Sequence, residues 1–268
     1  MLKDITLGQF LPGKSLLHRL DPRGKLLLLV IYITALFWAK SLWQYLLVGA
    51  WLAAAVISCR VKVKVLFRGM KPLLFLILFT AILNILTTKS GETLWQWSFI
   101  QITDQGLIFA AKMVSRIFML VSATFLLTYT TSPIALTDAL ERAMSPLRYI
   151  KVPVHELSMM MTIALRFIPT LIEETDKIMS AQKARGGDFE SGNIIRRMKA
   201  LLPLLIPLIL SAFRRANELA TAMECRCYHG GEGRTRLRVL RWRGLDAVVI
   251  FGCLAALAAV IVMPYLVS

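Results

Sequence analysis

Cys225, Cys227 and His229 alternate along the stretch AMECRCYHGG (222–231), and each side chain is able to bind a metal ion. A structural zinc site takes four such ligands, usually as two pairs. No second cysteine pair lies nearby, and His18 and His155 are the only other histidines. No metal site is therefore expected, and the two cysteines read as small, weakly polar residues at a helix end. Residues 8–15, GQFLPGKS, have the spacing of a phosphate-binding loop. That loop works between a strand and the N-terminus of a helix. Here only seven residues precede Gly8, and Pro22 follows Ser15 by seven, so neither nucleotide binding nor ATP hydrolysis by this chain is expected. Glu173, Glu174 and Asp176 form the one acidic cluster suited to acid–base work. On a long helix they are expected to pair with Lys177 or to face solvent. No catalytic residue and no bound cofactor is assigned, and the chain is not read as an enzyme.

A more specific pattern joins two helix ends. AQKARG (181–186) and AMECRC (222–227) both read Ala-x-x-small-Arg-small, and each lies beside a Gly-Gly pair. An arginine at a helix C-terminus meets the negative end of the dipole and bonds the last carbonyls, which explains either end alone. It leaves unexplained why both arginines have small neighbours. Small flanks let a protruding guanidinium enter a groove on another protein and make a forked bond to a carboxylate. Two readings stand at this point: ordinary helix termination, or two matched plugs, Ala184-Arg185-Gly186 and Cys225-Arg226-Cys227, for a partner with two similar sockets.

The elements that hold these ends are set by composition. Of 268 residues, 57% are hydrophobic and 18% charged, against about a quarter charged in a soluble domain. Ala247–Val267 runs 21 residues without a charge, enough to cross a ~30 Å hydrocarbon core as a helix. The chain therefore reads as an all-α integral membrane protein in contact with lipid. Met1 to Lys25 is polar and contains Pro12, Pro22 and Gly24, so no cleavable signal is expected. Leu26–Ala39 and Leu42–Ser58, a hairpin parted by Lys40–Ser41, join Leu73–Thr88, Gly106–Tyr129 and Ala247–Val267 to give five predicted spans.

Charge sets their orientation. Met1–Lys25 and Cys59–Pro72 each carry five Lys and Arg, which puts both on the cytoplasmic side. Lys89–Asp104, with one basic residue and the belt candidates Trp95, Trp97 and Phe99, is expected outside. Thr130–Gly244 holds 18 of the 32 basic residues and 11 of the 16 acids; it is expected in the cytoplasm, leaving the C-terminus outside. The net charge of +16 follows from this placement and calls for no nucleic-acid partner. Two of the four cysteines, Cys59 and Cys253, lie in or beside apolar spans, so no disulfide framework is expected. Lys112 and Arg116, one turn apart in the fourth span, are expected either to snorkel or pair internally, or to form a polar seam facing a partner.

The expected organisation is 1–129, an N-terminal segment with helices 1–4; 130–244, a cytoplasmic helical domain; and 245–268, the last span. Three helices are predicted in the charged region. One starts at Ser132-Pro133 and ends near Met144. A second runs from Val154 to Arg185, about 48 Å long with a kink at Pro169. A third runs roughly from Leu204 to Tyr228, and its apolar start is placed in or against the membrane.

These strings resemble those of a known family. LPGKSLLHRLDPRGKLL (11–27), TTSPIALTDALERAMSPLR (130–148), ALRFIPTLIEETDKIMSAQKARGGDF (164–189), and RRANELATAMECRCY followed by GRTR (214–236) are similar to the transmembrane (T) component of energy-coupling factor transporters, relatives of ABC importers. The resemblance implies a prokaryotic plasma-membrane scaffold that links two ABC-type ATPases to a small substrate-binding membrane protein, the S component, for vitamin or other micronutrient uptake. It implies two long coupling helices, each ending in an x-Arg-x motif docked in one ATPase. Here these are Ala184, Arg185, Gly186 and Cys225, Arg226, Cys227, the cysteines standing where the family often has Ala and Gly. ATP and magnesium would be used by the ATPases, and the coupling helices would carry their motion to the membrane. Met159, Met160, Ile163, Phe167 and Leu171, on the apolar stripe of the first coupling helix, are the candidate surface for the S component; plain helix packing is the other reading. A stand-alone transporter or channel, or a membrane-embedded enzyme, is the competing class. The repeats and broken helices of a secondary transporter are not evident.

Overall fold

The computed structural model describes residues 10–11, 13, 15–59, 63–88, 93–97, 100–187, 194–230, 242 and 244–267. Phe99 and the GRTR string at 233–236 lie outside them. In chain order the helices are α1 (Leu16–Arg19), α2 (Pro22–Trp38), α3 (Leu42–Cys59), α4 (Val63–Met70), α5 (Leu74–Thr87), α6 (Asp104–Thr130), α7 (Pro133–Ala143), α8 (Val154–Ala184), α9 (Ile194–Glu224) and α10 (Gly244–Val267). Between α5 and α6, in the stretch expected to lie outside, is a short antiparallel hairpin, β1 (Thr93–Trp97) with β2 (Ile100–Thr103), pairing Gln96 with Gln101 and Trp97 with Ile100. The chain divides into two compact units, one over Thr137–Val239 and the other over Gly8–Leu136 with Leu240–Ser268.

In the second of these units the helix starts and stops follow from single side chains. Asp21 caps α2 by accepting from the Arg23 amide at 2.9 Å, with Pro22 at the first helical position. The break before α3 is fixed by Gln44, which is almost fully buried. Its Oε1 accepts from the amides of Lys40 (2.7 Å) and Ser41 (2.8 Å), and its Nε2 donates to the Val260 carbonyl of α10 at 2.7 Å. One side chain thus satisfies both amides of the tight turn, which is why the two apolar runs form the predicted hairpin and not one long helix. Thr103 caps α6, accepting from the Gly106 amide and donating to the Thr88 carbonyl at the end of α5. A side chain at Gly106 would meet Thr103 Oγ1 at 2.9 Å. The hydroxyl of Ser132 accepts from the Ala135 amide at 3.3 Å, so α7 begins as the Ser-Pro pair predicts.

The core of this unit lies where α2, α3, α6 and α10 meet: Tyr32, Ala35, Leu36, Ala39, Tyr45, Val48, Leu52, Ala123 and Val260. Alanines at the contact let backbones approach closely, the usual packing device between membrane helices. Polar ties close one end. Lys25 Nζ donates to the Thr130 carbonyl (2.8 Å) and to Thr131 Oγ1 (3.3 Å) at the end of α6, and the Asp21 amide donates to Asp246 Oδ1 of α10 at 2.9 Å. Arg116 points inward. It donates to the Ala39 carbonyl at 3.2 Å, at the end of α2, and lies over the rings of Phe37 (5.7 Å) and Tyr45 (5.8 Å). Internal pairing is therefore the structural role of Arg116.

Among the described residues four helices are long and apolar enough to cross a membrane: α3, α6, α9 within Lys199–Glu224, and α10 within Gly244–Met263. Two of the five predicted spans are shorter. α2 has 17 residues and α5 has 14, and 14 residues rise only about 21 Å.

The unit over Thr137–Val239 is built on α8 and α9, each 31 residues long. Glu141 of α7 holds the start of α8, accepting from Ser158 Oγ at 3.0 Å and lying 3.2 Å from His155 Nδ1. α8 runs through Pro169 as one helix. α9 begins at Ile194, ten residues before the predicted Leu204, and continues through Pro203 and Pro207. Each proline removes one helical hydrogen bond but leaves the rest of the ladder, and the Leu- and Ile-rich sequence around them favours helix. α9 also stops at Glu224, four residues short of the predicted Tyr228.

Candidate functional site: two matched helix ends

The C-terminus of α8 closes with the Gly186 amide donating to Lys183 O (3.0 Å) and the Gly187 amide to Gln182 O (2.9 Å). At the end of α9, the Cys227 amide donates to Glu224 O (2.8 Å) and the Tyr228 amide to Met223 O (3.1 Å). These are the paired 5→2 and 6→1 bonds of a Schellman end. The two sets correspond at one constant offset: Gln182 to Met223, Lys183 to Glu224, Gly186 to Cys227 and Gly187 to Tyr228. Arg185 and Arg226 are both the capping residue, followed by a left-handed residue, Gly186 at φ +86° and Cys227 at φ +53°.

This geometry gives one of the small flanks a backbone cause. A residue at positive φ is ordinarily glycine, and a side chain at Gly186 would meet nothing within 4 Å. Smallness after the arginine is thus demanded by φ and not by crowding within this chain. Cys227 occupies the position at a cost of roughly 1–2 kcal/mol. Ala184 and Cys225, before each arginine, carry no such constraint. Ala184, Arg185, Gly186, Cys225, Arg226 and Cys227 are all exposed. Among the described residues neither guanidinium has an ion pair or a side-chain hydrogen bond, so both are open to water or to a partner.

The two helices are tied at a second matched pair that the sequence reading missed. Glu174, expected to pair with Lys177 or with solvent, instead accepts from Arg215 Nη2 of α9 at 2.9 Å and from the hydroxyl of Ser211. The Ser211 hydrogen bond, and then the Arg215 guanidinium, hold the Glu174 carboxyl below the usual carboxylate range. Glu174 and Arg215 stand at the same offset as Arg185 and Arg226, so the repeat carried the signal. Eleven residues separate Glu174 from Arg185, and eleven separate Arg215 from Arg226, about 16 Å of helix in each case.

The other candidates fall apart or stay open. Cys225 and Cys227 are exposed free thiols, and His229 Nδ1 lies 2.9 Å from the Cys227 carbonyl. Among the described residues no group of three metal-binding side chains forms. The helix after the loop ending at Ser15 is the single turn α1, and His18 bridges back to Ser15 Oγ (2.6 Å) and to the Leu11 carbonyl (2.9 Å). His18 thus packs against Gly13, where a phosphate loop would need open space. On α8, Met160 is 54% exposed, while Met159, Ile163, Phe167 and Leu171 are half-buried.

The described residues make a helical membrane protein whose matched features are two exposed, arginine-capped helix ends. The chain matches the model of the CbiQ family, described as cobalt transport protein, over residues 13–237, and it belongs to that family. It is 52% identical over 265 residues, 99% of each chain, to the energy-coupling factor transporter transmembrane protein EcfT of Ruminiclostridium cellulolyticum. It is 50% identical over 249 residues, 92% of each chain, to the protein of that name from Clostridium kluyveri. With the Bacillus subtilis protein of that name it shares 47% identity over 261 residues, 97% of this chain and 98% of the relative. The chain is the transmembrane energy-coupling component of an energy-coupling factor transporter. As such it is a transporter subunit and not itself an enzyme; the stand-alone transporter and membrane-enzyme readings are not favoured.

Proposed function

We propose that the chain ties two cytoplasmic ABC-type ATPases to a small substrate-binding membrane protein, and that Arg185 and Arg226 are the two contacts with the ATPases. The observation that carries this reading is the duplicated helix end: two exposed arginines, each capping a helix in the same hydrogen-bonded turn, suit two copies or close relatives of one partner. ATP and magnesium are used by the ATPases, and this chain holds no cofactor of its own. Apart from the apolar start of α9, which lies in or against the membrane, the region 130–244 lies in the cytoplasm with the N-terminus, and the C-terminus lies outside. Closing and opening of the ATPases moves the two helix ends, and α8 and α9 act as stiff arms that carry the motion to the membrane protein that holds the substrate, a vitamin or other micronutrient. Met160, exposed, with the half-buried Met159, Ile163, Phe167 and Leu171 on the same helix, is the adaptable apolar surface for that protein.

The test is to recover the tagged chain from native membranes in mild detergent. It should bring down two ATPase subunits and a small membrane protein, and uptake should require all of them. A chain that purifies alone and still supports uptake contradicts the proposal.

A further inference from the structure

The two arginine ends share a backbone but not a chemistry. The end at Arg185 carries no thiol, whereas Arg226 stands between two exposed free thiols, Cys225 and Cys227. The remaining cysteines, Cys59 and Cys253, are buried, at 4% and 7% exposure. A reagent arriving from water therefore meets the pair beside Arg226 first. Smallness alone does not account for this pair. Cys227 sits at φ +53°, the place that Gly186 fills in the matching end, and glycine would hold it without the backbone cost.

We propose that Cys225 and Cys227 form a reversible thiol-modification site that governs the seating of Arg226, with low-molecular-weight disulfides as its reactant; this rests on the docking role proposed above. The thiolate of one cysteine attacks a sulfur of the small disulfide. That S–S bond breaks, a protein–small-thiol S–S bond forms, and the other half leaves as a thiolate, which takes up the proton the cysteine released. One protein thiol is oxidised to the mixed disulfide and one small thiol is released. Side chains two apart on a helical end do not face each other, so each thiol carries its own adduct. The adduct alters the space beside the guanidinium that a docking groove must enclose. A thiol reductant restores the original end. Arg185 has no such neighbour, so oxidation unseats one plug and leaves the other. A docked ATPase covers the thiols, so assembled and free chains differ in reactivity.

The experiment treats purified full-length chain with oxidised glutathione, removes the reagent, and adds untreated ATPases. Peptide mapping should place the adduct on residues 222–231. ATPase affinity should fall about tenfold or more, a change of roughly 1.4 kcal/mol or greater, and recover with reductant. In Cys225→Ser/Cys227→Ser, treated and untreated samples should bind alike. The proposal is overturned by modified chain that binds as well as unmodified chain, by an equal loss in the serine variant, or by no modification at the two cysteines. Arg226→Ala run alongside separates the two ideas. Normal ATPase binding by that variant removes the docking role itself, whereas weak binding by it, with wild-type affinity unchanged on oxidation, removes only the thiol site.

Discussion

Gly186 and Cys227 hold the same left-handed position, each one residue beyond an exposed, helix-capping arginine, in turns closed by the same pair of amide–carbonyl bonds. The likeness of AQKARG to AMECRC is therefore a likeness of backbone as well as of sequence. Substitutions at the two positions should have opposite effects on stability. Cys227→Gly removes the cost of a side chain at positive φ and should stabilise the unit by about 1 kcal/mol, while Gly186→Ala should destabilise it by a similar amount. Thermal unfolding of the purified variants in one detergent measures both. Equal and unchanged melting would show that the end of α9 does not hold its left-handed turn.

Glu174 and Arg215 should set how α8 and α9 move together. Glu174→Arg should loosen the pair, and adding Arg215→Glu should restore it, because the reversed charges still meet. The pair is partly exposed, so its direct contribution is small, roughly 0.5–1 kcal/mol. The sharper readout is uptake per ATP hydrolysed, which should fall in the single variant and recover in the double. Failure of the double to recover coupling would reduce the contact to packing.

The same pair predicts a pH dependence. The Glu174 carboxyl lies below its usual range in the folded chain, so its contribution is complete above the ordinary carboxylate pKa. It is lost as pH falls through the lowered folded value. A spin-label distance between α8 and α9 should broaden on acidification in the wild type. Glu174→Gln should show little pH dependence over that window.

Gln44 satisfies three backbone groups, the amides of Lys40 and Ser41 and the carbonyl of Val260. Gln44→Leu leaves all three buried or half-buried without that partner, and a loss of about 2–4 kcal/mol is expected. Yield of folded protein and its melting temperature check this. Gln44→Glu should be nearly as harmful, since a carboxylate accepts from the two amides but cannot donate to Val260.

Much of the fold was legible because membrane constraints are strong. Apolar runs marked α3, α6 and α10 as spans, the basic loops gave an expected orientation, and Ser132-Pro133 placed the start of α7. The third helix was expected from about Leu204, yet α9 begins at Ile194 and passes through both Pro203 and Pro207, since a long helix loses only single bonds there. The arginine ends were legible from a repeat of residue types, but the need for a left-handed residue after each arginine was not, because Cys227 hides a position that glycine would have announced. Glu174 with Arg215 was missed for another reason: neighbours in sequence offered a nearer charge, and only the offset shared with the arginine ends pointed across to α9. Arg116, read as either a partner seam or an internal tie, is settled by the free carbonyl at the end of α2, an end visible only once Gln44 closes the turn.

Arg185 and Arg226 are proposed above as the contacts through which the ATPases hold this chain. The most direct measurement is ATPase affinity for the purified chain carrying Arg185→Ala, Arg226→Ala and both. Truncating one partner of a desolvated charged pair costs about 2–5 kcal/mol, so each single change should weaken binding at least tenfold, and the double variant should retain no ATPase and support no uptake. Full retention of the ATPases by the folded double variant, with uptake intact, would show that the ATPases are held elsewhere on the chain.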